Sequence, residues 1–140
     1  MILVDVNIFC DCATERYGWD NSMIILSKVR NKINKGYISS LTIVLLYFYI
    51  KKEGGFDLPI VREHTKLLID GFEISPLTEK IITLAMKSSI EDFEDAIQFI
   101  TARENDCKYI ITRNIKDFPN DEGIEILTPE EFINIFGETV

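Results

Sequence analysis

Short apolar runs alternate with longer amphipathic stretches along the whole chain. The runs are rich in β-branched and aromatic residues, which is typical of strands buried on both faces. Five runs are predicted as strands: Ile2–Val4, Tyr37–Ser39, Phe72–Ile74, Lys108–Thr112 and Ile124–Leu127. The stretches between them repeat apolar residues at three- and four-residue spacing, which predicts helices. The pattern therefore predicts an α/β fold, a parallel sheet covered on both faces in a three-layer α/β/α domain.

Two of the predicted helices have distinctive faces. Asp20 or Asn21 is expected to cap the first, whose polar face is basic. The residues of this basic face are Lys28, Arg30, Lys32 and Lys35. By default such a face is solvated. Residues 42–52 form the second helix, which is almost wholly apolar, so Leu45 is expected to pack against the sheet.

Residues 88–118 contain most of the candidate chemistry. Ser88 or Ser89 is expected to start a helix, because an S-x-x-E and an S-x-x-D pattern overlap there. The acids of its first turns are Glu91, Asp92, Glu94 and Asp95. At about 100° per residue, the two aspartates lie about 60° apart at the edge of the apolar face. The two glutamates are expected to turn further toward solvent.

Further polar side chains follow the first and fourth predicted strands. Asp5 comes directly after the first strand, and residues 112–117 follow the fourth. Ligands of open α/β sheets bind beyond the carboxyl ends of the strands, where strand order reverses. If these two strands are neighbours, Asp5 and Asp117 meet there, and Asp92 and Asp95 reach the same end of the sheet.

Carboxylates gathered at one point repel each other, and a hard divalent cation relieves the repulsion. Mg²⁺ and Mn²⁺ take oxygen ligands and usually accompany phosphate substrates. Such a cation can orient and deprotonate a water for attack on a phosphodiester. Thr112 and Asn114 are candidates to hold that water or a phosphate oxygen, and Arg113 is a candidate to contact a phosphate.

Each candidate also has a purely structural interpretation. Asp5 and Asp117 alone can be turn residues, and Asp92 and Asp95 can be favourable charges at a helix N-terminus. Arg113 can belong to a surface ion pair. The functional interpretation depends on the convergence of these residues, which the order of the elements implies.

Composition narrows the class of protein. The chain has 140 residues, the size of one ordinary domain, so 1–140 is predicted as a single domain. No apolar run approaches the ~18 residues of a membrane span, and no signal peptide precedes the first strand, so we expect a cytoplasmic protein without membrane contact. The net charge of −8 opposes nucleic-acid binding unless the acids are locally neutralised. The single histidine, His64, has no Ser or Cys nucleophile motif nearby, which argues against triad chemistry and against a histidine-ligated metal. The three cysteines are expected to be buried reduced thiols.

Three motifs together resemble the PIN domain, the nuclease family that includes VapC-type toxins. They are Asp5-x-Asn7 after the first strand, the DFEDAIQ sequence from Asp92, and the TRNxxDF sequence from Thr112. The likeness extends over the whole chain. It implies a five-stranded parallel sheet in the order 3-2-1-4-5 and an acidic Mg²⁺ or Mn²⁺ site that cuts RNA.

The resemblance also implies roles and partners. Asp5, Asp92, Asp95 and Asp117 would be the catalytic and metal-binding acids. The residues implied in substrate binding are Asn7, Thr112, Arg113 and Asn114. RNA would meet the remaining basic residues, and an antitoxin protein would cover the site, often through an Arg or Lys that reaches the carboxylates. A homodimer is left open.

One position departs from the family pattern. Many PIN nucleases carry a Glu in the helix after the second strand, and alignment puts Leu45 there. Asp92 is expected to stand in as the fourth acid. The main hypothesis is therefore a metal-dependent endoribonuclease of a toxin–antitoxin pair, and the alternative is a catalytically weak PIN fold that binds RNA or protein. An aspartyl-nucleophile phosphohydrolase ranks last, because Asp5-x-Asn7 lacks its second Asp.

Overall fold

Five short strands pair side by side in one parallel sheet. The computed structural model describes residues 1–120 and 123–140. The strands are β1 (Ile2–Val4), β2 (Gly36–Ser39), β3 (Glu73–Ser75), β4 (Tyr109–Ile111) and β5 (Glu125–Leu127). Their order across the sheet is β3-β2-β1-β4-β5, and every pairing is parallel. This confirms the expected strand order and makes β1 and β4 neighbours.

Helices connect these strands on both faces of the sheet. They are α1 (Val6–Thr14), α2 (Trp19–Arg30), α3 (Ser40–Gly54), α4 (Leu58–Leu68), α5 (Glu79–Lys87), α6 (Phe93–Glu104) and α7 (Pro129–Phe136). A single 3₁₀ turn, Ile115–Asp117, follows β4. The capping residues Thr78 and Thr128 start α5 and α7, each through a side-chain hydroxyl that accepts a backbone N–H.

The sheet separates two hydrophobic cores, because successive side chains of a strand point to opposite faces. In β1, Ile2 and Val4 pack with α1, α2, α3, α4 and α7, whereas Leu3 packs with α5 and α6. In β4, Ile111 joins the first core and Ile110 the second. The α/β/α layering predicted from the pattern is therefore confirmed.

The basic face predicted for α2 does not exist as one surface. Lys28 is 1% exposed, and its Nζ donates to the Thr139 carbonyl at 2.7 Å. Lys35 pairs with Glu73 instead of lying free. The prediction treated these lysines as one solvated face of a long helix, but α2 ends at Arg30 and the C-terminal segment covers Lys28.

The start of α2 also differs from the prediction. The helix begins at Trp19, and Gly18 occupies the N-cap with φ of 80°. A Cβ at Gly18 would lie 2.9 Å from Nη2 of Arg113. A close contact and a left-handed backbone thus select glycine where an Asp20 or Asn21 cap was expected.

The acidic helix begins later than predicted. Ser88 is the C-cap of α5, and α6 starts at Phe93 with Asp92 as its N-cap. Both serine patterns predicted the wrong start, because the Asp92 carboxylate reaches the backbone N–H of Asp95 itself.

Leu45 is half-buried, so the prediction that it is a core residue was wrong. The buried residues of α3 are Thr42, Leu46 and Ile50, while Val44 and Phe48 are more than half exposed. An almost wholly apolar helix cannot bury every side when only one face meets the sheet. Across the described ranges, no helix combines the length and apolarity needed to cross a bilayer.

Candidate active site

Asp5 lies where β1 ends and α1 begins, at the carboxyl edge of the sheet. It is 2% exposed and serves as the N-cap of α1. Its Oδ1 accepts the Val6 N–H at 2.7 Å, and its Oδ2 accepts the Thr112 hydroxyl at 2.8 Å. Burial raises the pKa of Asp5 above its ordinary value, hydrogen bonds oppose the rise, and the nearby Asp92 charge adds to it. Asp5 is thus a fixed carboxylate in an environment that disfavours its charge.

Asn7 and Thr112 lock Asp5 to the adjoining strand. The Asn7 side-chain amide donates to Asp5 Oδ2 at 3.1 Å and to Thr112 Oγ1 at 3.2 Å. Its own oxygen accepts the Arg113 N–H at 3.1 Å, and Thr112 Oγ1 accepts the Asn114 N–H at 3.1 Å. The polar groups of Asn7 and Thr112 are therefore already engaged in holding the site together.

Asp95 is the buried acid contributed by α6. It is 8% exposed, and no hydrogen bond or ion pair reaches its carboxylate from any described residue. Its pKa is raised to about 7, first by burial and then by the charges of Asp92, Asp5, Asp117 and Glu94. A buried carboxylate surrounded by other carboxylates is destabilised until a proton or a cation neutralises it.

Asp92 and Asp117 stand at the exposed rim of this group. Asp92 Oδ1 accepts the Asp95 N–H at 3.0 Å, which leaves its other oxygen unbonded by the residues described. Asp117 ends the 3₁₀ turn after β4 and is exposed. Both line a cleft of about 580 Å³, together with Lys116 and Phe118. The structure therefore brings all four predicted acids to one end of the sheet.

Glu94 belongs to the same group, although the sequence predicted that it faces solvent. The side chain is half-buried, and its pKa is raised by burial and then by the charges of Asp5 and Asp92. Since α6 starts at Phe93, Glu94 sits in the first turn, and helix side chains lean toward the N-terminus. That direction takes Glu94 toward Asp5. Glu91, its predicted companion, is exposed as expected.

Arg113 is held by the protein itself. Its Nε donates to Asp11 Oδ2 at 2.9 Å, and its Nη1 donates to both carboxylate oxygens of Glu130. Its Nη2 donates to the Gly18 carbonyl and to Ser22 Oγ. All five guanidinium N–H groups are thus used, which leaves none for a phosphate unless this network opens.

Asp11, which the sequence pattern did not single out, is the centre of that network. It is 3% exposed, accepts from Arg113, Arg16 and Ser22, and carries the charge that holds both arginines. An aspartate among the apolar residues of α1, with two arginines elsewhere in the chain, was the only sequence signal for it.

The acids of the site fit a hard divalent cation by their chemistry. All candidate ligands are carboxylate oxygens, and no ion pair to Asp95 occurs among the residues that the structure describes. Among residues 1–120 and 123–140, however, no three acidic, histidine or cysteine side chains lie close enough together to hold a metal ion. A cation would therefore have to draw these side chains together.

Sequence comparison places the chain among known proteins. The sequence model of the PIN domain matches residues 1–116. The chain is also 28% identical over 137 residues to Ribonuclease VapC1 of Aquifex aeolicus (strain VF5), covering 94% of this chain and 92% of that protein.

Solved structures of bacterial proteins share this fold. A toxin–antitoxin complex from Klebsiella pneumoniae matches with a TM-score of 0.68 and 23% identity over 92% of this chain and 98% of that one. VapBC2 from Rickettsia felis, bound to a DNA fragment from its promoter, matches with a TM-score of 0.67 and 18% identity. The match covers 90% of this chain and 97% of that one. The sarcin–ricin-loop-cleaving toxin VapC20 of Mycobacterium tuberculosis matches with a TM-score of 0.63 and 10% identity. The match covers 79% of this chain and 87% of that one. Because the PIN domain model matches most of the sequence and the strands have the order expected of that fold, the chain belongs to the PIN domain family.

Proposed function

We propose that this protein is an endoribonuclease that uses a divalent cation, Mg²⁺ or Mn²⁺, and acts as the toxin of a toxin–antitoxin pair. The observation that carries the proposal is the buried Asp95 carboxylate, which has no partner among the described residues and interacts with the charges of Asp5, Asp92 and Asp117. The likeness to Ribonuclease VapC1 supports the reaction class. A bound cation would activate water and offset the charge that develops on the scissile phosphate.

The residues of the chain divide into ligands and supports. Asp5, Asp95 and Asp117 are the proposed metal ligands, and Asp92 adds charge while its Oδ1 fixes the start of α6. Asn7 and Thr112 hold Asp5 in place, so their contribution to substrate binding is indirect. Asn114 is exposed beside them and remains the proposed contact to a phosphate or water.

The acidic residues around the site repel the phosphates of an RNA substrate. With Lys28 buried and Arg113 engaged, Lys116 in the cleft is the basic side chain next to the acids. Lys51 and Lys52 at the end of α3 are also exposed. We propose that these lysines meet the RNA backbone once a cation has neutralised the site.

A protein antitoxin is the proposed partner. The matched structures from Klebsiella pneumoniae and Rickettsia felis are of toxin–antitoxin assemblies. An Arg or Lys from a partner could neutralise Asp95 and Asp92 as a cation would, which would block the site. Co-expression with the product of a neighbouring small reading frame, followed by co-purification, would test this.

The decisive experiment is cleavage of a mixed RNA pool in Mn²⁺. Asp95→Asn is nearly isosteric, so it should remove cleavage while leaving the circular dichroism spectrum unchanged. Asp92→Asn should be nearly as severe. Glu104→Gln, at the far end of α6, is the matched control and should stay active. Equal activity of Asp95→Asn and the wild type would point to a contaminating nuclease.

A binding module with weak catalysis is the second candidate. It is favoured by Leu45, which leaves α3 without the carboxylate that many PIN nucleases carry. RNA binding that persists in EDTA, with no cleavage at any Mn²⁺ concentration, would select this alternative.

A further inference from the structure

The turn between α1 and α2 presents an aromatic side chain that the proposed function does not use. The Trp19 N–H donates to the Arg16 carbonyl at 2.9 Å, so Tyr17 and Gly18 are the two central residues of a β-turn. Gly18 has φ of 80° and ψ of 11°, a geometry found at the third residue of type II turns. Tyr17 therefore occupies the outer corner of the turn, and its side chain is fully exposed.

Two arginines fasten this turn to the candidate site. Arg16 Nη2 donates to the Asn7 carbonyl at 2.9 Å, and the Asn7 side chain in turn donates to Asp5. Arg113 joins the same places, since its backbone N–H donates to Asn7 Oδ1 and its Nη2 donates to the Gly18 carbonyl at 2.8 Å. The turn is thus held beside the residue that orients the Asp5 carboxylate.

Arg16 is oriented by the protein, but its donors are only partly used. Its Nε and Nη2 donate to Asp11 Oδ1 at 3.0 and 2.8 Å, and its guanidinium lies 5.6 Å from the centroid of the Tyr49 ring. With the bond to the Asn7 carbonyl, three of its five N–H groups are engaged. Nη1 has no hydrogen bond to any described residue, and the side chain is 42% exposed. Two donors of a fixed guanidinium therefore remain for a ligand.

A nucleotide of an unpaired strand fits the two neighbouring groups. The remaining N–H groups of Arg16 can donate to a phosphate oxygen, and the Tyr17 ring is a surface on which a base can stack. Proteins bind single-stranded nucleic acid through this combination of basic and aromatic side chains. Bases inside a duplex are already stacked and paired, so they cannot stack on an exposed ring. A protein partner would need two separate side chains to supply what one nucleotide provides.

We propose that Arg16 and Tyr17 form a subsite for single-stranded RNA, in which Arg16 contacts a backbone phosphate and Tyr17 stacks on a base. The inference rests on the proposed function and adds the strand state of the substrate to it. It also gives this acidic protein an arginine contact to RNA that Arg113 cannot supply, because the N–H groups of Arg113 are engaged.

The stacking contact is tested by RNA affinity in the Asp95→Asn background, where cleavage is expected to be absent. Fluorescence anisotropy compares a labelled single strand with the same strand in a duplex. Tyr17→Ala should weaken binding of the single strand about 5- to 150-fold, the factor for stacking one base, and leave duplex binding unchanged. Tyr17→Phe keeps the ring and should bind the single strand as the parent does.

The phosphate contact is tested by the salt dependence of the same binding. Arg16→Gln should weaken binding and reduce the slope of log affinity against log salt concentration by about 1, as the loss of one phosphate contact does. Arg62→Gln removes the same charge from an exposed position of α4 and should leave the slope unchanged. Circular dichroism and urea unfolding show whether each variant folds. A purely structural role of Arg16 would lower stability without changing the slope.

The outcomes separate the inference from the function on which it rests. Equal affinity of Tyr17→Ala and its parent for the single strand overturns the inference, and so does an equal loss for single strand and duplex. An unchanged salt slope in Arg16→Gln overturns it as well, and so does a parent that binds no RNA. Cleavage of the RNA pool by the wild type in Mn²⁺ is measured separately, and its presence leaves the proposed function standing in each of these cases.

Discussion

At the scale of single residues, the Thr112 hydroxyl controls the geometry of Asp5. It donates to Asp5 Oδ2 and accepts from Asn7 and from the Asn114 N–H, and it is fully buried. A hydroxyl with three partners ties β1, α1 and the loop after β4 to one point. The carboxylate is therefore oriented before any ligand arrives.

Thr112→Val should destabilise the protein by about 1–3 kcal/mol, the cost of leaving buried polar groups without partners. Thr101→Val is the matched control, since Thr101 Oγ1 is buried and has no partner among the described residues. That change should be neutral or stabilising. Urea unfolding of both variants measures the difference, and equal costs would mean that the Thr112 bonds contribute nothing.

The residue types of the site could be predicted from the sequence, but their partners could not. Asp5 and Asp117 follow neighbouring strands, so their convergence required only the strand order. Glu94 was assigned to solvent because it lies off the apolar stripe of the helix, a position that does not show what packs against the first turn of α6. Arg113 resembled a substrate contact because its acidic partner, Asp11, is 102 residues away in sequence. Such long-range pairings depend on tertiary packing, which local patterns do not contain.

At the scale of elements, the Asp11 network fastens α1, α2 and α7 to the loop after β4. Arg113 reaches Asp11 of α1, Ser22 of α2 and Glu130 of α7. The same loop carries Thr112 and Asn114. The network therefore fixes the part of the chain that positions the candidate site, without using any of the four predicted acids.

Asp11→Asn should cost on the order of 3 kcal/mol, because it removes the buried carboxylate that Arg113 and Arg16 share and leaves Glu130 as the remaining acid on Arg113. Lys80→Ala breaks the exposed Lys80–Glu104 pair and should change stability by less than about 1 kcal/mol. Chemical denaturation of the two variants gives the comparison. Similar small effects in both would show that the network is not a source of stability.

The adjacent leucines Leu45 and Leu46 of α3 test which face of this helix packs. Leu46 is fully buried, and Leu46→Ala should cost about 2–5 kcal/mol. Leu45→Ala should cost clearly less, since Leu45 is only half-buried. Thermal and urea unfolding measure both. A larger loss for Leu45 would mean that α3 is rotated about its axis relative to this structure.

Element order was predictable and helix boundaries were less so. The alternation of apolar runs and amphipathic stretches fixes an α/β sandwich, because parallel strands require covering helices. Helix boundaries depend on which side chain forms the N-cap hydrogen bond. At α6 the Asp92 carboxylate competes successfully with two serines, and at α2 a glycine replaces the expected polar cap because Arg113 lies against it.

At the scale of the whole molecule, the acidic site makes stability depend on pH and on divalent cations. The folded-state pKa values of Asp95, at about 7, and of Asp5 lie above their ordinary values. The folded protein therefore binds protons more tightly than the unfolded chain. The resulting stabilisation is complete below the unfolded pKa of about 3.9 and is lost as pH rises through the folded pKa.

In EDTA, the free energy of unfolding of the wild type should thus fall between pH 5 and pH 8, by a few kcal/mol at about 1.4 kcal/mol per pKa unit. Asp95→Asn cannot ionise there, so its profile should be flatter, while Asp106→Asn, an exposed surface change, should follow the wild type. Mn²⁺ should restore the wild type at pH 8, because it binds the charged carboxylates of the folded state alone. Urea unfolding at each pH gives these curves. Parallel profiles for the wild type and Asp95→Asn, with no effect of Mn²⁺ on either, would show that the buried acids are not linked to protons or metal.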